Sequence, residues 1–299
     1  MAKVIVYQLY PIAWDGGIEE MIDHLPRIKE LGVTHVWLSP LYPSPRADHG
    51  YDISDYYKID RKIGTMRKFD EFVKQAHKLG LKVLMDLVLN HTSTKHSWFK
   101  EKPEYYCWAE EPLKNWDSLF GGSAWEWDDS QGMFYCHLFD KKQADLDWFP
   151  DGNINYDLVQ EFRNIVKFWT TDHKVDGFRL DVPQGINKDF GNDNLELNEL
   201  LFGDLAVAVI NAVFSGLERK PFLMMECLDP TFGQIIQKYV GGTSIDYCLN
   251  VLLKEERDKG WQEFHKAFYN SCKTSGFMLD LESHDSPRFT SRSGCYQVR

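Results

Sequence analysis

KVLMDLVLNH, residues 82–91, decides how the rest of the chain is read. After Lys82 the run to Leu89 is almost wholly apolar, as suits a parallel strand covered on both faces. Working outward, Thr34–Ser39 and Val4–Tyr10 read as the two strands before it. Between those two, Ile18, Met21, Ile22, Leu25, Ile28 and Leu31 recur every three or four residues. That spacing predicts a helix over 18–31, stopped by Gly32. Lys68–Leu79, stopped by Gly80, predicts the next helix. Strands at 177–182, 222–227, 245–249 and 277–282 follow, alternating with helices at 158–171, 195–217, 232–239 and 252–272. Repeated β–α units predict a parallel sheet with right-handed crossovers. Seven strands in this order predict an α/β fold, a (β/α)8 TIM-type barrel lacking its eighth strand.

The stretch from Asn90 to about Asn155 is too long for a structureless connection. It carries Trp98, Trp108, Trp116, Trp125, Trp127 and Trp148, six of the ten tryptophans. These observations predict an inserted subdomain over 92–155, with the barrel formed by 1–91 and 156–299. The tryptophans either pack the insert's small core or line a lid, since loops at strand C-termini build the active site of such barrels.

Composition excludes some function classes. The chain has 299 residues, 43% of them hydrophobic, and a formal net charge of -11. A net acidic chain is a poor ligand for a polyanion, so no nucleic-acid partner is expected. The N-terminal MAKVIVYQLYP lacks the pattern of a cleaved signal, and no apolar run is long enough to span a bilayer. The six cysteines are scattered with no C-x-x-C pair, which argues against zinc and against a disulfide framework. Together these predict a cytoplasmic protein with no membrane partner.

Polar residues stand where the strands end. Asp86 lies within the third strand, and Asn90 and His91 end it. Arg179 and Asp181 sit two apart on the fourth and so share a face. Glu226 ends the fifth, and His284 and Asp285 end the seventh. In a barrel these ends converge on one rim. Asp181 beside Arg179 should stay ionised, as a nucleophile requires. Glu226, after an apolar run, should be partly desolvated and hold its proton, as a general acid requires. Two such carboxyls, about 5–5.5 Å apart, are what retaining glycoside hydrolysis needs.

DLVLNH (86–91), GFRLD (177–181), MMEC (224–227) and ESHD (282–285) resemble, in order and in strand position, the four motifs of the α-amylase superfamily, glycoside hydrolase family 13. GYDISDY (50–56) and QADLDW (143–148) resemble segments of its oligo-1,6-glucosidase and α-glucosidase branch. The resemblance implies Asp181 as nucleophile, Glu226 as proton donor and Asp285 as the third carboxylate. It implies His91 and His284 as hydrogen-bond partners of the bound sugar, Arg179 as the residue orienting the nucleophile, and Tyr51 as the platform beneath that sugar. Asp52 is implied as the reader of the non-reducing end, or else it is a local turn residue. Val182 is similar to the valine associated with α-1,6 linkages.

The function implied is retaining hydrolysis of short α-glucosides, isomalto- or malto-oligosaccharides, through a covalent glucosyl-enzyme. The same machinery could instead transfer or isomerise glucosyl units on sucrose- or trehalose-type donors, or persist as a non-catalytic binding scaffold. The loop AWDGGIEE (13–20) has too few oxygen ligands for the metal held there in relatives. A calcium ion near Asn90 is possible but not favoured, so no cofactor is expected. Ser283 replaces the asparagine usual in this branch. The sequence ends shortly after the seventh strand, which predicts an open barrel edge: either the chain is a fragment, or a partner or self-association with a neighbouring copy fills the gap, or the protein is a reduced, inactive form.

Overall fold

The computed structural model describes residues 4–112, 116–188, 204–226, 243–248 and 277–280. They fall into two compact units, one ending at Phe222 and one beginning at Leu223.

The first unit is built on four parallel strands in chain order: β1 (Val6–Leu9), β2 (His35–Leu38), β3 (Lys82–Val88) and, after an excursion, β9 (Gly177–Asp181). The register sets Trp37 beside Leu84 and Asp86 beside Arg179. Every residue of β3 after Lys82 is buried, because helices cover one face and the strand's other face is also enclosed. Helix α1 (Gly17–Glu30) buries Ile18, Met21, Leu25 and Ile28 and keeps Pro26 on its exposed side. Gly32 follows with φ +81°, a left-handed conformation that glycine adopts without a Cβ penalty. Helix α2 (Met66–Lys78) starts at Thr65, whose side chain accepts the Lys68 N–H, and buries Phe69, Phe72, Val73 and Ala76. Gly177 admits no side chain, since a Cβ there would meet the Phe222 carbonyl at 2.0 Å.

The insert contains two antiparallel sheets. β4 (His91–Ser93) pairs with β8 (Gln143–Asp145), and β7 (Met133–Cys136) lies between β5 (Trp108–Ala109) and β6 (Trp125–Asp128). The short helix α3 (Ser97–Glu101) follows β4 in the chain. Cys107, Trp116, Ala124, Trp125, Cys136 and Leu138 form a small core there. Trp98 and Trp148 are also buried, Trp108 is half-buried, and Trp127 stands exposed. Packing therefore accounts for most of these rings. The chain returns through helix α4 (Tyr156–Lys167) and a π-helical turn, Phe168–Asp172, to β9.

The fourth strand was expected to include Val182. It stops at Asp181 instead, because Val182 has φ 38° and ψ 54°, in the left-handed region. Helix α5 (Asp204–Phe214) and β10 (Phe222–Glu226) follow. In the second unit β10, β11 (Thr243–Cys248) and β12 (Phe277–Asp280) pair in parallel, setting Glu226 beside Ile245 and Ile245 beside Met278. The helices expected at 232–239 and 252–272 lie outside the described residues. No helix among the described residues is long and apolar enough to cross a membrane.

Candidate active site

Arg179 organises the site. Its side chain is 2% exposed and its Nη1 donates to Asp86 Oδ1 at 2.9 Å and to Asp181 Oδ1. The guanidinium also lies 5.1 Å from the Trp37 ring and 5.8 Å from the Tyr51 ring. The parallel register of β3 and β9 makes this possible, since Asp86 and Arg179 are strand partners. One buried cation thus bonds two buried carboxylates, and its charge offsets theirs. Asp86 is fixed in turn by Trp37 Nε1 (3.0 Å) and by the Tyr51 hydroxyl (3.3 Å). Neither Trp37 nor Asp86's bracing role was evident in the sequence, because these contacts join residues 35 to 93 positions apart.

Tyr51 is buried beside this cluster. Asp52 is also buried, but its carboxylate accepts from Ser44 Oγ (2.7 Å), Ala47 N (2.9 Å) and Asp48 N (3.2 Å). It braces the loop over residues 44–48. The carbonyls at the end of β3 accept from side chains of that loop region and the insert: Tyr42 to Asp86 O (2.8 Å), Tyr56 to Val88 O (2.8 Å), Trp148 to Leu89 O (2.7 Å). The rim of β3 is thus closed by aromatic donors.

His91 is almost fully buried, with its ring 5.3 Å from Phe139. Gln143 Nε2 donates to Asp48 Oδ2 (3.0 Å) and stands 3.0 Å from His91 Nε2; Asn90 Nδ2 stands 3.0 Å from His91 Nδ1. Burial first, then the nearby Lys188 cation, lower the His91 pKa to about 3, so its imidazole is neutral. Gln143 opens the QADLDW segment, but no sequence pattern marks its approach to His91.

Lys188 escaped the sequence reading altogether. Its side chain is 2% exposed, and its ammonium donates to Asn90 Oδ1 (3.1 Å), Gly185 O (2.7 Å) and Leu146 O (3.5 Å), with Asp145 Oδ2 at 3.6 Å. Burial opposes its charge most strongly, but the fields of Asp145, Cys107, Cys136 and Asp147 together outweigh it, and its pKa is raised. Burial also raises the Asp145 pKa, to about 6, against the pull of Lys188. No motif marked this lysine, since its partners lie 98 and 43 positions upstream. Gly185 belongs to the same cluster: a Cβ there would meet Asn90 Oδ1 at 2.2 Å.

Glu226 is the last residue of β10 and is half-buried. His284 and Asp285 lie outside the described residues. Among the described residues, no group of three or more His, Cys, Asp or Glu is placed to hold a metal ion.

A parallel β/α framework with Arg179 bonded to a strand-end carboxylate defines a class, the parallel β/α domains with their polar residues gathered at strand ends. The comparisons narrow it. Residues 11–299 match the family described as Alpha amylase, catalytic domain, and the chain belongs to that family. It is similar to an oligo-1,6-glucosidase of Bacillus cereus, 40% identical over an alignment covering 97% of this chain and 59% of the relative. Its structure is similar to that of the trehalose-6-phosphate hydrolase of Bacillus licheniformis, with TM-score 0.78 and 33% identity over 98% of this chain and 59% of that one. It is also similar to the isomaltulose synthase of Erwinia rhapontici NX5, with TM-score 0.82 and 28% identity over 96% and 58%. The fold is accordingly a partial (β/α) barrel of TIM type. The chain spans less than two thirds of the length of each of these relatives.

Proposed function

We propose that this chain carries the retaining chemistry of an α-glucoside hydrolase acting on short isomalto- or malto-oligosaccharides. The observation that carries the proposal is the Arg179–Asp181 contact, which keeps a buried strand-end carboxylate ionised and aimed. Asp181 attacks the anomeric carbon and forms the β-glucosyl ester. Glu226 gives its proton to the departing glycosidic oxygen. The same carboxylate then takes a proton from water, which attacks the anomeric carbon and releases Asp181. Asp285 is the third carboxylate, and Tyr51, His91 and His284 hold the sugar. Asp52 enters as the brace of the 44–48 loop that wraps it. The similarity to oligo-1,6-glucosidase, together with Val182, supports a preference for α-1,6 linkages.

We assign no calcium ion to Asn90. The Lys188 ammonium already bonds the Asn90 side-chain oxygen, and a second cation would compete for it. Cytoplasmic residence is part of the same proposal.

A second reading, glucosyl transfer or isomerisation, is favoured by the similarity to isomaltulose synthase. A sugar hydroxyl would replace water in the second step. Labelling with a mechanism-based fluoroglucoside, read by mass spectrometry, tests the nucleophile: the chain should gain one fluoroglucosyl group on the peptide bearing Asp181, and Asp181→Asn should gain none. Labelling of that variant, or none of the parent, refutes the assignment. Product analysis at high sugar concentration separates hydrolysis from transfer.

A further inference from the structure

Val182 follows Asp181 and holds φ 38° and ψ 54°. Among the described residues the other non-glycine positions with positive φ are Arg46, His49, Asp151 and Lys174, all polar and all half-buried or exposed. Val182 is instead buried, and it is β-branched, a side-chain type for which left-handed backbone is an outlier. Pro183 comes next, and a residue before proline is pushed further toward extended backbone. Local preference opposes this conformation twice, so its surroundings impose it.

Two fixed ends do so. Upstream, Asp181 is the last residue of β9, in register with Val88 of β3, and its carboxylate is bonded to Arg179. Downstream, Gly185 N donates back to Val182 O (2.9 Å) and Ile186 N to Pro183 O (3.2 Å), closing the turn Pro183–Gly185. Gly185 lies so close to Asn90 that a Cβ would stand 2.2 Å from its side-chain oxygen. Lys188 Nζ donates to Gly185 O (2.7 Å) and to Asn90 Oδ1 (3.1 Å). The chain leaves the strand and reaches this clamp within one residue. An extended Val182 would carry the turn away from Asn90 and Lys188.

We propose that Val182 is a positioning residue. Its left-handed backbone transmits the hold of Lys188 and Asn90 on Gly185 to Asp181, and so fixes the direction in which the strand end presents that carboxylate. The inference rests on the reading of Asp181 as nucleophile, and it concerns the backbone at 182 and not a side-chain contact with the sugar. The left-handed well open to a side chain is small, so a residue forced into it has little room to swing. Glycine would adopt the same angles without strain and would also leave them freely.

The test uses the full chain with Val182→Ala, Val182→Gly and Val182→Thr. Alanine and glycine both remove the isopropyl contacts and differ in backbone freedom. Glycine relieves the left-handed strain, so Val182→Gly should melt at or above Val182→Ala. Inactivation by the fluoroglucoside reads attack by Asp181 itself. Its rate constant in Val182→Gly should nonetheless lie roughly tenfold below that in Val182→Ala, with the half-saturating concentration within about twofold. Val182→Thr, β-branched like valine, should recover the rate. A merely structural role predicts the reverse, with the rate following the melting temperature. Equal rates in the glycine and alanine variants while the parent is labelled on Asp181, or a glycine variant melting below the alanine one, overturns this proposal alone. A parent that takes no label overturns the nucleophile reading and this proposal with it.

Discussion

Lys188 Nζ stands 3.6 Å from Asp145 Oδ2, and the pair joins the insert to the segment after β9 from wholly within the protein. The ammonium's other partners, Asn90, Leu146 and Gly185, come from both sides of that junction. Asn90 and Gln143 then connect the pair to His91. A buried ion pair thus sets the position of a residue proposed to hold the sugar.

Removing the lysine should be costly. Lys188→Met leaves Asp145 buried without its cation, and unfolding in urea at pH 7 should show a loss of about 3–5 kcal/mol. The loss should shrink at pH 5, because Asp145, whose pKa is already raised to about 6, then takes up a proton. A loss of equal size at both pH values would contradict the pairing.

Gly185→Ala should damage the same network by volume alone. Its Cβ would come 2.2 Å from Asn90 Oδ1, and Asn90 is held by Lys188 and Asp145, so it has no easy retreat. Overpacking of this kind costs about 1–3 kcal/mol. Thermal melting should register that loss, and α-glucoside turnover should fall with it through His91.

Arg179→Lys keeps a charge but loses the planar fork between the Trp37 and Tyr51 rings. The Asp181 carboxylate should lose its aim, and kcat/KM for an aryl α-glucoside should fall about 100-fold or more, as a misplacement of about 1 Å does. Arg179→Met should also destabilise, by about 3–5 kcal/mol, since Asp86 and Asp181 then face each other without a cation. Unchanged kcat/KM in the lysine variant would remove Arg179 from the site.

Stability should respond to acid with a predictable sign. Burial lowers the pKa values of His91 to about 3 and His96 to about 4, well below an unfolded histidine. Groups lowered in this way contribute stability above about pH 6.5 that is lost as pH falls toward 4. Asp145 has the opposite sign: its raised pKa adds stability below about 4 that fades as pH rises through about 6. His96→Gln should therefore flatten the loss between pH 6.5 and 4 in denaturant titrations, and Asp145→Asn should steepen it.

Much of the framework was legible because it is local. The spacing of Ile18, Met21, Leu25 and Ile28 specifies a buried helix face, and the apolar run of β3 specifies a doubly covered strand. Two-residue periodicity placed Arg179 with Asp181, and they meet. Val182 was misread as strand because β-branched residues favour strands, and sequence carries no sign of its left-handed backbone. Such a conformation costs about 1–3 kcal/mol and persists only where its surroundings impose it, here directly after Asp181.

The sequence by itself determined the β–α order of the first unit, the place of Asp181 and Glu226 at strand ends and the family, since periodicity and short motifs are properties of neighbouring residues. Only the tertiary structure decided that Lys188 bonds Asn90, that Asp86 is held by Trp37 and Tyr51, and that Asp52 braces a loop. The physical reason is separation along the chain. Lys188 and Asn90 are 98 positions apart, and no local pattern encodes a contact that exists only once the insert has packed onto the strands.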